Sequence, residues 1–147
     1  MRILFVCMGN ICRSPTAEGV TRHLLAERGL DEEIEVQSAG TGGWHAGNPP
    51  DARATATARA RGITLAGEAR QVTRSDFEEF DWLVAMDREN LRDLRAIAPP
   101  GTEHKVRLLL DEERDVPDPY YGGPGGFEEV LDLVEAGCAR LLDDLAP

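Results

Sequence analysis

Residues 6–15, VCMGNICRSP, decide how this chain folds and what it can bind. The apolar run at residues 3–6 leads into the stretch and reads as a short buried strand. A helical pattern opens after it, with Ser14 predicted at the N-cap and Pro15 at the first helical position. The stretch therefore predicts a strand, a tight loop and a helix N-terminus in succession.

This loop has the composition of an anion-binding site. Backbone N–H groups at a helix start point into one concavity, and the helix dipole makes the potential there positive. Cys7 lies at its mouth, where a thiol loses its proton readily. Arg13 follows six residues later, and its planar guanidinium can bind two phosphate oxygens at once. Gly9 and Asn10 tolerate the left-handed backbone that such a turn often requires, so we expect phosphate or another oxyanion here.

A second line of evidence is the resemblance of several motifs in this sequence to those of a known family. The pattern C-x5-R is weak alone, but C-x-G-N-x-C-R-S-P directly after a first strand is highly specific. With it, the sequence resembles the low molecular weight protein tyrosine phosphatase family, in its bacterial branch. Later segments resemble the family's motifs in the same order, namely residues 38–44 (SAGTGGW), 69–71 (ARQ), 85–87 (AMD) and 118–121 (DPYY). The resemblance spans residues 1–147 as one phosphatase domain, and it implies hydrolysis of phosphotyrosine in proteins, and of small aryl phosphates, without a cofactor.

The composition of the chain limits the classes of protein to which it can belong. Of 147 residues, 41% are hydrophobic and 29% charged, which suits one globular domain. The net charge of −11 disfavours nucleic acid and anionic membrane surfaces as partners, because both need clustered Lys and Arg. Three cysteines are too few for a disulfide scaffold, no apolar run approaches a membrane span, and the first strand leaves no room for a signal peptide. We predict a cytoplasmic protein.

Short apolar strands alternate with amphipathic helices along the chain. This alternation predicts an α/β fold, with a single-domain four-stranded parallel sheet and helices on both faces, as in a flavodoxin-like three-layer sandwich. Ligands of such sheets bind beyond the carboxyl ends of the strands, where the Cys7 loop lies. The predicted strands are near 2–6, 34–38, 82–86 and 106–110, the helices near 15–28, 51–61, 75–80, 87–98 and 127–145, and a polar loop covers 111–126.

Three residues carry the predicted chemistry. Cys7 is the expected nucleophile that forms a cysteinyl-phosphate, and Arg13 binds the equatorial phosphate oxygens in ground and transition states. The leaving phenolate needs a proton from a carboxylic acid, for which the long loop offers Asp115 and Asp118. The Asp-Pro-Tyr-Tyr context favours Asp118 as the general acid and later the base, and Pro119 restricts it to extended backbone.

The predicted substrate site surrounds these residues. The resemblance implies that the Ser14 hydroxyl hydrogen-bonds the cysteine sulfur and eases departure of the thiolate. Aromatic residues make up only 5% of the chain, so those in loops are predicted to wall a deep slot for a phenyl ring, with local packing as the alternative. The binding residues are Met8, Gly9, Asn10, Ile11, Cys12 and Ser14 on the loop, with Trp44, Tyr120 and Tyr121 as the slot.

The other two cysteines, Cys12 and Cys138, are not needed for the predicted chemistry. Cys12 is either a filler thiol or the partner of Cys7 in a reversible disulfide that shields the nucleophile from over-oxidation. Cys138 fits the apolar stripe of the last helix and is predicted to be core. The three histidines are scattered and none has metal-ligand spacing with cysteine, so we predict no metal.

The sequence differs from the resembling family in one respect, and there are two alternatives to phosphatase activity. Eukaryotic members of the resembling family brace the loop with a Ser and a His, where residue-by-residue matching places Gly42 and Gly67. A thiol-dependent arsenate reductase shares the loop but needs further relay cysteines, and Cys138 in a buried stripe is a poor relay. A non-catalytic phospho-binding module could lose nucleophile or acid, yet both Cys7 and Asp118 are present.

Overall fold

A computed structural model describes residues 1–111, 114–120, 122 and 125–145 and places their strands in one parallel sheet. The sheet order is β2-β1-β3-β4, so the predicted α/β fold with four parallel strands is confirmed. The strands are β1 (Arg2–Cys7), β2 (Glu35–Gly40), β3 (Trp82–Ala85) and β4 (Val106–Leu108), and the helices are α1 (Arg13–Arg28), α2 (Ala52–Arg59), α3 (Asp76–Glu79), α4 (Arg88–Ile97) and α5 (Gly125–Leu145).

Strand β1 is the centre of the fold because it pairs with β2 on one side and β3 on the other. Its residues 3–6 are fully buried, and a strand buried on both faces is a continuous apolar run rather than an alternating one. Ile3 and Phe5 join the core that α1, α2 and α5 cover. Leu4 and Val6 join the opposite core, which α3 and α4 cover. The helices therefore lie on both faces, as predicted.

Helix α5 has the apolar stripe that its sequence period predicts, and it packs against α1 and α2. Cys138 on this stripe is fully buried and its Sγ lies 3.8 Å from the carbonyl oxygen of Ala17, so its predicted core position is confirmed. Neither α5 nor another helix in the described ranges has the length and hydropathy needed to cross a membrane. A cytoplasmic location stays a prediction.

The start of α1 differs from its prediction. The helix begins at Arg13, its N-cap is Cys12, and no side chain caps it. Ser14 is therefore inside the helix, and the prediction that it is the N-cap was wrong. The physical reason is that its hydroxyl is engaged elsewhere, 3.0 Å from Cys7 Sγ and accepting a 2.8 Å hydrogen bond from Asn10 Nδ2.

Three segments meet at the carboxyl edge of the sheet. The loop at residues 8–12 leaves β1, Asp87 follows β3 and caps α4, and the chain after β4 returns across the same edge. The last contact is specific, because the Val116 N–H donates to the Met86 carbonyl at 2.8 Å. Parallel topology thus gathers residues that are more than a hundred positions apart in the sequence.

Close packing of α1 on the segment before α3 gives a test of the fold. A Cβ at Gly19 would lie 2.6 Å from Leu65 Cδ2 and 2.9 Å from the Thr64 carbonyl oxygen. We expect Gly19→Ala to lower the free energy of unfolding by about 1–3 kcal/mol through overpacking, measured by urea denaturation. Gly125→Ala at the first position of α5 is the matched control, since nothing lies within 4 Å of its Cβ. Equal stability of the two variants would contradict the packing argument.

Candidate active site

The loop after β1 wraps around the sulfur of Cys7. The Asn10 N–H donates to Cys7 Sγ at 3.2 Å, and the Ser14 hydroxyl lies 3.0 Å from the same atom. Asn10 has a φ of 57° and is the residue that takes left-handed backbone, whereas Gly9 does not. Gly9 has a different role, because a Cβ there would lie 3.1 Å from His45 Cδ2. The loop is therefore shaped both by a left-handed turn and by a close approach from a second loop.

Asn10 holds this turn through its side chain. Its Nδ2 donates to the hydroxyls of Ser14 at 2.8 Å and Ser38 at 3.0 Å, and its Oδ1 accepts from the Arg70 N–H at 3.0 Å. The Ser38 hydroxyl in turn donates to Glu18 at 2.6 Å. A chain of hydrogen bonds thus runs from the Cys7 sulfur to a carboxylate on the far side of the loop.

This network corrects the matching that placed Gly42 at a bracing serine. Ser38 supplies that hydroxyl, and Gly42 instead packs against an aromatic ring, since a Cβ on it would clash with the Trp44 indole. Gly67, with a φ of 93°, borders a cavity of about 190 Å³ that Ser38 and Glu18 also line. That cavity and the Cys7 pocket share no lining residue.

Arg13 is a buried and rigidly held cation. Only 3% of the residue is exposed, and its Nη1 donates to Asp87 Oδ2 at 2.6 Å and to the Val116 carbonyl at 3.0 Å. Burial alone would lower the pKa of Arg13, but the charge of Cys7 and the bond to Asp87 outweigh it, so the pKa is raised. The guanidinium therefore stays charged and fixed, with Nη2 3.8 Å from Asp118 Oδ2.

The two candidate acids occupy different environments. Asp115 accepts from the Arg88 N–H at 2.9 Å and from Arg88 Nε at 3.2 Å, and the arginine holds the pKa of that carboxyl below its usual range. Asp118 instead lines the Cys7 pocket, and its Oδ1 accepts from the Tyr120 N–H at 3.0 Å. The structure thus places Asp118 in the pocket and ties Asp115 to the start of α4.

A cavity of about 60 Å³ opens above the sulfur. The rings of Tyr120 and His45 stand 6.1 Å apart at their centroids and form two of its sides. Arg53 lies over the Tyr120 ring at 5.3 Å and donates to its carbonyl oxygen at 3.3 Å, which positions this wall. Of the predicted residues, the cavity is lined by Cys7, Met8, Gly9, Ile11, Cys12, Arg13, Asp118 and Tyr120.

Of the other two predicted slot residues, one lies outside the cavity and one is not described by the structure. Trp44 is 72% exposed and lines a neighbouring groove, where it packs on Gly42. Tyr121 lies outside the described residues. His45 was missed by the sequence analysis, although it directly follows Trp44 in the Gly-rich loop, because nothing local shows which of two neighbouring rings turns inward.

Cys12 is a poor nucleophile in this environment. Burial, followed by the negative charges of Asp51, Cys7 and Asp118, raises the pKa of its thiol to about 12. The three cysteines are unbonded, so a regulatory Cys7–Cys12 disulfide stays a prediction. Across the described ranges, no three His, Cys, Asp or Glu side chains are grouped closely enough to hold a metal ion.

The fold and site together define an α/β protein with an anion-binding loop, in which a strand-end cysteine faces a buried arginine at a helix start. The family model for low molecular weight phosphotyrosine protein phosphatase matches residues 2–147. The chain therefore belongs to this family of protein-tyrosine phosphatases.

Individual relatives agree with this assignment. A low molecular weight protein-tyrosine-phosphatase of Bacillus subtilis is 47% identical over 95% of this chain and 92% of its own length. A protein tyrosine phosphatase of Entamoeba histolytica, solved with Hepes in the active site, is 39% identical with a TM-score of 0.96, over 99% of this chain and 96% of that one. An arginine phosphatase of Drosophila is 34% identical with a TM-score of 0.92, over 100% and 99% of the two chains.

The environment of Cys12 predicts selective alkylation. A thiol with a pKa of about 12 is almost entirely protonated at pH 7.5, and its thiolate appears only as the pH rises toward that value. We expect iodoacetamide to label Cys7 and leave Cys12 unmodified, as measured by mass mapping of the folded protein. Cys7→Ser is the control and should take no label in this loop. Labelling of Cys12 at neutral pH would contradict the interpretation.

Proposed function

We propose that this protein hydrolyses phosphotyrosine in proteins, and small aryl phosphates, through a cysteinyl-phosphate on Cys7. Arg13 binds the phosphate, and Asp118 is the general acid and then the general base. The observation that carries the proposal is that these three side chains line one cavity at the carboxyl end of β1, with Arg13 Nη2 3.8 Å from Asp118 Oδ2.

The first step is attack by the Cys7 thiolate on phosphorus. The S–P bond forms as the P–O bond to the aryl group breaks, and Asp118 gives its proton to the departing phenolate oxygen. The Asn10 N–H and the Ser14 hydroxyl, at 3.2 Å and 3.0 Å from the sulfur, support the thiolate as hydrogen-bond donors. Arg13 meets the charge on the equatorial oxygens.

The second step regenerates the enzyme. The Asp118 carboxylate takes a proton from water, whose oxygen attacks phosphorus while the S–P bond breaks. Phosphate leaves and Cys7 is again a thiolate, which the same two donors stabilise as a leaving group. Asp118 is suited to both tasks because its carboxylate is one-third exposed, so water reaches it, while it still faces the cavity.

The shape of the cavity supports an aryl substrate. Only 3% of Cys7 is exposed, so the phosphate must reach the sulfur at the bottom of the cavity. The Tyr120 and His45 rings line this cavity, and an aryl group is long enough to carry the phosphate past them to the sulfur, whereas the shorter side chain of phosphoserine brings the backbone against the walls. Because one structural neighbour is an arginine phosphatase, phosphoarginine is the informative comparison substrate.

Leaving-group dependence tests the acid. We expect Asp118→Asn to lower kcat on phenyl phosphate by about 10²–10⁴-fold, and on p-nitrophenyl phosphate by much less, because p-nitrophenolate departs without a proton. Asp115→Asn is the matched control on the same loop, and Cys7→Ser should abolish turnover with both substrates. The measurement is single-turnover kinetics with a metal chelator present.

The outcomes discriminate between functions. Equal losses in Asp118→Asn and Asp115→Asn would remove the acid assignment. A wild type that is silent on aryl phosphates and phosphotyrosine peptides, but active on phosphoarginine peptides or on arsenate with added thiol, would overturn the proposed substrate or reaction.

A further inference from the structure

A second concave surface lies next to the catalytic cavity. Met8 lines both, so the two are direct neighbours at the same end of the sheet. We call the second one the rim groove; its volume is about 380 Å³, and its principal side chains are Met8, Trp44, Glu89, Asp93 and Ile97. Glu89, Asp93 and Ile97 belong to α4, whereas Met8 and Trp44 come from the two loops above the sheet.

The apolar part of the rim groove is unusually exposed. Trp44, Ile97 and Met8 are 72%, 42% and 38% exposed, and across the described parts of the chain only Met1 is another large exposed hydrophobic residue. Exposed apolar side chains gathered in one place mark interaction sites rather than ordinary surface. The indole is also held in place, because it packs on Gly42, whose N–H donates to the Met8 carbonyl at 3.0 Å.

The charged part of the rim groove is acidic. Glu89 and Asp93 are one turn apart on α4, an arrangement of like charges that costs helix stability. No hydrogen bond or ion pair to either carboxylate is seen among the described residues, whereas Arg88 beside them is paired with Asp115. Among the residues that the structure describes, no arginine or lysine lines the groove. It therefore presents two uncompensated negative charges beside an aromatic surface.

The spacing of these carboxylates matches an extended peptide. Four residues of α-helix rise about 6 Å, while two residues of extended chain span about 6.6 Å, and residues i and i+2 point to the same side. Two basic side chains in a Lys-x-Lys pattern can therefore face Glu89 and Asp93 together. A second copy of this chain is a poor occupant, because each copy carries a net charge of −11.

We propose that the rim groove binds the polypeptide flanking the phosphotyrosine, with an apolar side chain on Trp44 and basic side chains facing Glu89 and Asp93. This rests on the proposed function, because the groove acts only on a substrate whose phosphate occupies the Cys7 cavity. The substrate class is then narrower than any phosphotyrosine protein: it is one with an apolar and basic sequence next to the tyrosine.

Matched peptides test the proposal. Each carries one phosphotyrosine with Lys-x-Lys, Gln-x-Gln or Glu-x-Glu, placed before it in one series and after it in another. In the wild type we expect kcat/KM for the better-placed lysine peptide to exceed that of its glutamine partner about three- to tenfold at low salt, and less at 0.5 M salt. Because the two peptides are compared with the same enzyme variant, a change in activity that affects all substrates equally does not alter their ratio of kcat/KM.

Charge variants assign the effect to the groove. The double variant Glu89→Gln, Asp93→Asn should bring the lysine-to-glutamine ratio to about one, and Glu89→Lys, Asp93→Lys should favour the Glu-x-Glu peptide instead. Asp31→Asn, Glu32→Gln is the control, because it makes the same charge change in exposed residues that precede β2, at the opposite end of the sheet. That control should keep the wild-type ratio.

Several results would overturn the proposal. The first is a lysine-to-glutamine ratio of kcat/KM equal to one for the wild type in both peptide series. The second is a ratio that the Glu89→Gln, Asp93→Asn variant retains. The third is occupation of the groove by a second copy, seen as concentration-dependent dimers that Trp44→Ala abolishes. Failure of the proposed function is distinguishable, because p-nitrophenyl phosphate has no flanking peptide and would then not be hydrolysed by the wild type at all.

Discussion

The ion pair between the buried Arg13 and the half-buried Asp87 is the constraint on which the site depends. A guanidinium cannot shed its charge, so its burial requires a fixed partner, and removing one member of such a pair typically costs about 3–5 kcal/mol. Asp87 Oδ2 at 2.6 Å and the Val116 carbonyl at 3.0 Å provide this partnership. Because Arg13 opens α1, Asp87 caps α4 and Val116 belongs to the return from β4, one side chain locks three segments of the sheet edge together. Its second nitrogen lies 3.8 Å from Asp118 Oδ2 at the cavity, where in the proposed function a phosphate would complete the compensation.

The left-handed turn at Asn10 depends on a second and smaller balance, between backbone strain and side-chain hydrogen bonds. A non-glycine residue at a φ of 57° is strained by about 1–2 kcal/mol. Each of the three hydrogen bonds from its amide contributes about 0.5–1.5 kcal/mol, so together they exceed that strain. The same bonds orient the Ser14 hydroxyl toward the sulfur. The hydrogen bonds that stabilise the loop therefore also fix the surroundings of the Cys7 sulfur, the proposed nucleophile.

The sequence predicts those features that depend on neighbouring residues. The apolar run of β1, the period of α5 and the spacing from Cys7 to Arg13 are local, and the sheet, the apolar stripe and the loop follow from them. The errors concern side chains whose orientation depends on three-dimensional contacts: Ser14 was assigned to a cap but bonds to Cys7 and Asn10 within the loop, and the brace at Ser38 lies 28 positions from Asn10. The inward turn of His45 beside an outward Trp44 depends on Gly42, because only a glycine leaves room for the indole. Such choices are decided by tertiary contact, which local patterns do not contain.

The proposed binding of a dianion by a protein with a net charge of −11 raises an electrostatic question, and the different depths of the charges answer it. The positive charge of Arg13 is buried at the bottom of the cavity, where attraction to phosphate is strong at contact distance. Glu89 and Asp93 lie at the exposed rim, and salt screens exposed charges over about 8 Å. In the proposed mode of binding, the rim carboxylates therefore act on the polypeptide directly over them, while the phosphate itself is left to Arg13. One surface can thus select a dianion at its base and a basic polypeptide at its edge, because the two selections operate at different depths.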